Sequence, residues 1–343
     1  MKYIVAYHND LDGVACASVL AKKLDFPNCA VVDGDKNTSY SMIINNNNDC
    51  YYFVPVNYNS FDRFDMLEFE LEPNPFGVYL FDFTFSVAKM HYLVDSVSSF
   101  TWVDHHESVK ENAEYEEVFK KIDSKSDSFK YVFDCSRFGA SELCWNLIFP
   151  DTNILNRINM AAKYDVFKFT EDERMFAYGL NFNYSKLHSS VLSEKIRYLL
   201  LEEDVPNDIL RGEVIDGVIE NVVSSYSYQR ARQFIILGED VIVPLFQSGF
   251  NMTYNNFAAN KIIEKLNPSD FGYDNIEKIS TICFYNDSID KNRIILSFRS
   301  NDGKSAKMCA EKFSGGGHPN AAGGSVSRED FPLIITTYGK PRA

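Results

Sequence analysis

Along the first half of the chain, short apolar runs alternate with stretches of helical period, and several runs stop abruptly at a residue able to bind a metal. Residues 3–7 (YIVAY) read as a strand ending at His8, followed by an alanine-rich amphipathic helix over 13–24. Residues 29–32 and 51–56 are further β-like runs. Residues 77–81 lead to Asp82 and residues 100–103 to Asp104, with a helical stretch over 86–97 between them. Strands separated by helical segments predict an α/β fold with a mostly parallel sheet flanked by helices. Residues 131–134 add a strand, and a helix is expected to open near Gly139. Residues 207–233 read as one or two connecting helices. Beyond them the pattern restarts as a smaller α/β domain with a mixed sheet. Its parts are a helix over 251–266, strands over 280–286 and 293–300, and a short helix over 306–313 before a glycine cluster. The expected division is a first domain at 1–195, a helical connector at 196–234 and a second domain at 235–343.

With 343 residues, 45% hydrophobic and 24% charged, the composition is that of a soluble globular protein of two domains. No run of 18 apolar residues occurs, and MKYIVAYHND turns polar before a signal-peptide pattern develops, so a cytoplasmic protein without membrane contact is expected. The seven cysteines form no CxxC pair and are expected to be reduced. The net charge of −14 is unevenly placed. From residue 235 onward there are 12 Lys+Arg and 12 Asp+Glu, so residues 1–234 carry the whole excess, with 34 − 12 = 22 basic against 48 − 12 = 36 acidic residues. Such a surface excludes long duplex DNA, whose binding rests on many phosphate contacts to Lys and Arg. Within 291–312, six basic residues stand against two acidic ones, which suits a small phosphate-bearing anion.

The residues after the apolar runs carry the chemistry. A carboxylate at the end of a buried strand costs several kcal/mol to desolvate unless it is paired or metal-bound. Here His8, Asp10 and Asp12 lie in HNDLDG, Asp82 in LFDF and Asp104, His105 and His106 in WVDHH, with Asp165 in KYDVF as a further candidate and Asp151 as a weaker one. In an open parallel sheet the carboxyl ends of strands are where ligands bind. If the chain stays extended past Tyr7, His8, Asp10 and Asp12 share one face by their period of two, and Gly13 allows a sharp turn into the next helix. A calcium EF-hand loop does not fit, since Val19 stands where its final glutamate should. Imidazole plus carboxylate, without thiolate, suits Mn²⁺ or a similar ion. Two divalent cations would absorb this many acidic ligands, with Mn²⁺ first and Mg²⁺ or Co²⁺ as alternatives. The Asp33-Gly34-Asp35 stretch reads as a solvated turn, and His91 and His188 as ordinary residues.

Together with SFRS (297–300) and FSGGGHPNAAGG (313–324), these signatures resemble the DHH phosphoesterase family with its DHH-associated C-terminal domain. The resemblance covers nearly the whole chain in the expected order, and its layout is nearest the stand-alone oligoribonuclease, or nanoRNase-like, branch. It implies a catalytic role for the first domain and substrate binding for the second. His8, Asp10 and Asp82 would hold one ion, and Asp12, Asp82, His105 and Asp165 the other. His106 would lie near the scissile phosphate, with Asp104 orienting the histidine pair. Arg299 and Ser300, Gly315, Gly316, Gly317 and His318 would bind substrate. Arg137 is a possible extra phosphate contact outside this core set.

The implied activity is metal-dependent hydrolysis of short oligonucleotides (nanoRNA or pApA-like dinucleotides) to mononucleotides. A cyclic-dinucleotide phosphodiesterase or a 3′-phosphoadenosine-5′-phosphate phosphatase is the alternative within enzymes. A non-catalytic nucleotide sensor is the alternative outside them. A homodimer is compatible with either.

Overall fold

The apolar run at the N-terminus becomes β1 (Lys2–His8), and its alternation divides it between two cores. Ile4 and Ala6 face one side of the sheet, while Val5 and Tyr7 face the other. A strand covered on both faces has no polar side, which is why it reads as a continuous hydrophobic stretch. In a computed structural model, residues 1–33, 40–57, 64, 76–136, 139–166, 168–186, 191–225, 233–237, 241–247, 258–259, 261–271, 278–287 and 292–337 are described. The expectations placed on Gly34, Asp35, Arg137 and His188, and on all of 251–257, lie outside them.

The first sheet also contains β2 (Ala30–Val32), β3 (Ser41–Ile44), β4 (Cys50–Val56), β5 (Gly77–Phe81), β6 (Ser99–Asp104) and β7 (Phe129–Phe133). Their order is β2-β3-β4-β1-β5-β6-β7. From β4 to β7 all pairs are parallel, while β2 and β3 join antiparallel at one edge. The α/β reading of the sequence is thus met, with an antiparallel margin it did not anticipate. One face is covered by helices Leu11–Lys23, Ala140–Ile148, Asn156–Asp165 and Leu192–Leu200, the other by Val87–Ser96 and Glu114–Asp123.

The chain forms two compact units, Met1–Gly212 and Glu213–Ala343, and the boundary falls inside the long helix Val205–Ser225. At its first-unit end, Asp208 and Arg157 form a fully buried ion pair (2.7 Å). Arg157 also donates to the carbonyls of Tyr198 and Leu201 (both 2.6 Å), closing the C-terminal end of helix Leu192–Leu200.

The second unit holds β8 (Gln233–Leu237), β9 (Val241–Gln247), β10 (Thr281–Asp287), β11 (Arg293–Ser300), β12 (Gly316–His318), β13 (Ala321–Ser327) and β14 (Ile335–Thr337). They form a mixed sheet in the order β12-β13-β11-β10-β9-β8-β14, in which only β9 and β10 are parallel. The strand expected over 293–300 has those bounds. Among the described residues no helix is long and apolar enough to cross a membrane.

Candidate metal centre

Parallel register brings the candidate residues level. Tyr7 of β1 pairs with Phe81 of β5, and Phe81 with Val103 of β6. The next residue on each strand is His8, Asp82 and Asp104, so the three form one row at the carboxyl edge of the sheet. The chain turns differently there than period-two extension suggests. Asp10 is the N-cap of helix Leu11–Lys23 and accepts from the Gly13 N–H at 2.9 Å. The helix therefore starts at Leu11, and Asp12 lies in its first turn rather than on the face of His8 and Asp10. An aspartate that can satisfy an orphan N–H begins a helix as soon as the strand ends.

Gly13 also acts differently from expectation. A Cβ there would lie 2.1 Å from the His8 carbonyl oxygen. The glycine is needed for close approach of helix to strand, not for turning.

Three overlapping groups have their donor atoms within 4.8 Å of one another: His8, Asp10 and Asp82; Asp82, His105 and His106; and Asp12, His105 and Asp165. Asp82 and His105 connect them. His105 Nε2 lies 3.2 Å from an oxygen of Asp82 and 3.2 Å from an oxygen of Asp165. His8 Nδ1 is 2.8 Å from Asp10 and 3.7 Å from Asp82. Asp151 is exposed and belongs to none of the groups.

Asp82 is the most constrained of these residues. Its φ is 54°, in the left-handed region, which costs a non-glycine residue about 1 kcal/mol or more. A hydrogen bond from its N–H to the Val103 carbonyl (2.9 Å) holds it there. Both carboxylate oxygens are fully buried and face His105 Nε2 at 3.2 Å and His8 Nδ1 at 3.7 Å. Buried carboxylate oxygens clustered with other ligand atoms fit a divalent cation.

The electrostatics agree. Burial alone would disfavour the charged form of His8, but Asp10 and Asp82 outweigh it and lift its pKa to about 11. Burial likewise opposes charge on His105, yet Asp165 and Asp82 raise its pKa well above the ordinary value. Burial, together with Asp82 and Asp165, pushes the Asp12 carboxyl well up.

Supporting contacts surround the cluster, several of them from residues the sequence reading did not single out. Asp104 is buried, and one of its oxygens accepts from the His105 N–H (2.7 Å) and the His106 N–H (3.2 Å). The same oxygen lies 2.7 Å from His106 Nδ1, and the other accepts from the Thr84 hydroxyl. Burial would raise the Asp104 carboxyl, but His106 beside it holds it well below the usual carboxylate range. Asp12 accepts from the N–H groups of Ala140 and Ser141 and from the Ser141 hydroxyl. The Tyr184 hydroxyl donates to the Asp10 carbonyl (2.8 Å). A hydroxyl two residues after Asp82 and a serine just inside a helix start are the only local signals for Thr84 and Ser141.

In the second unit Arg299 lies on β11, half-buried, donating to the Phe298 carbonyl at 2.6 Å. Ser300 points to the opposite face. It is buried, its hydroxyl donating to the Pro319 carbonyl and accepting from the Ala306 N–H, both at 3.1 Å. That geometry ties β11 to the glycine segment rather than presenting the hydroxyl beside Arg299. Gly316 to His318 form β12, paired with Ala321 to Gly323. A Cβ on Gly315 would lie 1.9 Å from the Gly323 carbonyl oxygen, and Gly317 has φ +138°, so both are glycine for backbone reasons. Gly316 has nothing within 4 Å of where a Cβ would stand, so that side of the strand is open.

Residues 241–339 match the DHHA1 domain. This part of the chain, within the second unit, is a DHHA1 domain. The chain's fold is similar to that of the DHH domain of a member of a family of ribosomal proteins, at 14% identity and TM-score 0.53, over 97% of this chain and 85% of that one. A pGpG-specific phosphodiesterase, PggH from Vibrio cholerae, matches over 97% and 95% of the two chains at 14% identity and TM-score 0.43. RecJ in complex with Mn²⁺ from Thermus thermophilus matches over 97% of this chain and 50% of its own, at 13% identity and TM-score 0.45. With TM-scores below 0.5, these two add nothing to the fold assignment. No curated protein matches the chain. The DHHA1 match includes Arg299, Ser300 and the whole glycine segment.

Proposed function

We propose that this protein is a metal-dependent phosphodiesterase that hydrolyses short oligonucleotides, down to dinucleotides such as pApA, to mononucleotides. The observation that carries the proposal is the convergence of His8, Asp10, Asp12, Asp82, His105 and Asp165 at one sheet edge. His8, Asp10 and Asp82 would hold one divalent cation, and Asp12, His105 and Asp165 a second, with Asp82 next to both. Mn²⁺ suits this set of imidazole and carboxylate donors best. When bound, such ions supply Lewis acidity at the phosphate and lower the pKa of water.

The chain's own residues do the rest. Asp104 engages Nδ1 of His106, so a proton delivered to the leaving oxygen departs from Nε2. Burial of Asp82 and His105 keeps water from screening the attraction between substrate and site. On the DHHA1 sheet, Arg299 offers a fork for a phosphate, and the open side of Gly316 allows backbone to approach one. The acidic bulk of residues 1–234 supports short anions over long duplexes as substrates.

The test is a substrate panel with added Mn²⁺, resolved by chromatography: pApA, a five-residue RNA, cyclic di-AMP and 3′-phosphoadenosine-5′-phosphate. AMP from pApA and the RNA, faster than from the other two, supports the proposal. Preference for cyclic di-AMP or the monoester would move the activity to that substrate. Binding of all four without turnover would make the chain a nucleotide sensor.

A further inference from the structure

The N-terminus of helix Ala140–Ile148 holds no group assigned to ion or substrate, yet it touches both carboxylate-bearing elements of one ion group. On one side it grips Asp12. The Ala140 N–H donates to Oδ2 at 2.6 Å, and the Ser141 N–H reaches Oδ1 at 3.2 Å and Oδ2 at 3.4 Å. The Ser141 hydroxyl donates to Oδ1 as well. Asp12, Ala140 and Ser141 are all fully or almost fully buried, so water does not substitute for these donors. On the other side the helix start packs on the helix that ends in Asp165. A Cβ on Gly139 would lie 2.6 Å from Ala162 Cα and 2.7 Å from its carbonyl oxygen, one turn before Asp165. The Ser141 hydroxyl also lies 3.4 Å from the Ile158 carbonyl of that helix.

Gly139, Ala140 and Ser141 thus form a spacer between Asp12 and Asp165, which share a group with His105. None of these contacts reaches His8 or Asp10. An ionised carboxylate has about four acceptor positions, so donors from one side fix its direction while leaving room for a cation. We propose that Ser141 is a positioning residue that builds one of the two ion sites selectively. It sets the Asp12/His105/Asp165 site and leaves the His8/Asp10/Asp82 site unchanged. The proposal rests on the two-ion reading above.

Mn²⁺ titration followed by calorimetry and by electron paramagnetic resonance, on wild type and Ser141→Ala, tests this without reference to activity. One of two ions should bind about 10- to 100-fold more weakly in Ser141→Ala, as for other partners of metal ligands, and the other within about twofold of wild type. The spin-coupled signal of a Mn²⁺ pair should give way to that of single ions. In an Asp165→Asn background, Ser141→Ala should leave the remaining ion's affinity unaltered. Gly139→Ala, which displaces Ala162, should weaken the same ion. Equal weakening of both ions, or none, in Ser141→Ala overturns the positioning role while the two-ion reading stands. Wild type that takes up no Mn²⁺ overturns both.

Discussion

A single carboxylate oxygen of Asp104 engages both the backbone N–H (3.2 Å) and the ring Nδ1 (2.7 Å) of His106. This contact fixes the orientation and tautomer of the ring in a way packing alone would not. Asp104→Asn keeps the shape but offers an amide where Nδ1 needs an anion. The expected result is a fall in kcat of about 100-fold or more, the scale of general acid–base catalysis, with Mn²⁺ affinity little changed. Thr84→Val removes a donor from the other oxygen and should have a smaller effect in the same direction. Steady-state kinetics with parallel metal titration checks both, and an unchanged kcat in Asp104→Asn would remove His106 from the chemistry.

Close approach of helix to strand leads to a stability prediction at Gly13. A methyl group there meets His8 backbone atoms at 2.1 to 2.8 Å, and backbone cannot rotate away as a side chain can. Gly13→Ala should cost about 3 kcal/mol and weaken metal binding through His8, as seen by denaturant unfolding and Mn²⁺ titration. Wild-type stability in this variant would show that the helix can slide.

The metal-free cluster should hold protons that a cation must displace. The pKa of His8 is lifted to about 11, and those of His105 and His106 are raised by the carboxylates beside them against the effect of burial. A histidine raised on folding stabilises the fold fully below its unfolded pKa of about 6.5, and that contribution fades as pH climbs towards the folded value. In chelator, stability should therefore decline as pH rises above about 6.5 towards the folded value of His8, about 11. Mn²⁺ uptake at neutral pH should release at least one proton per chain, measured by calorimetry in buffers of different ionisation heat. Uptake with no proton release would mean that the imidazoles are neutral before the metal arrives.

How much of this was legible in the sequence depended on the range of the interaction. The parallel sheet and the placement of His8, Asp82 and Asp104 follow from apolar runs and what ends them, both local signals. The helical period is clear only from Gly13 onward, and Asp10 suits a ligand and a helix cap equally, so the start at Leu11 has no unambiguous local mark. Ser141 bonds to Asp12 across 129 residues of sequence, and Thr84 to Asp104 across 20, so neither contact had a local trace. The inward orientation of Ser300 is a matter of strand alternation: once Arg299 faces one side, its neighbour must face the other. The glycine motif concealed a division of labour. Two of its glycines serve backbone geometry, and Gly316 alone has open space.

Loss of anchoring and loss of chemistry should separate kinetically. Arg299→Ala removes the fork proposed to hold a substrate phosphate and should raise KM about 10- to 100-fold with kcat largely retained. Asp82→Ala removes the carboxylate that joins the ligand groups and should abolish kcat. Equal effects of the two substitutions on kcat, with KM unchanged, would contradict this division.

The central claim is that the edge of the first sheet is a metal-dependent phosphodiesterase centre. Its most direct test is AMP release from pApA by the same preparation with Mn²⁺, after chelation, and after Mn²⁺ is restored, with Asp82→Ala alongside. Turnover that disappears in chelator, returns with Mn²⁺ and is absent in a folded Asp82→Ala protein is the predicted result. Turnover that persists in metal-free protein or in Asp82→Ala would contradict it.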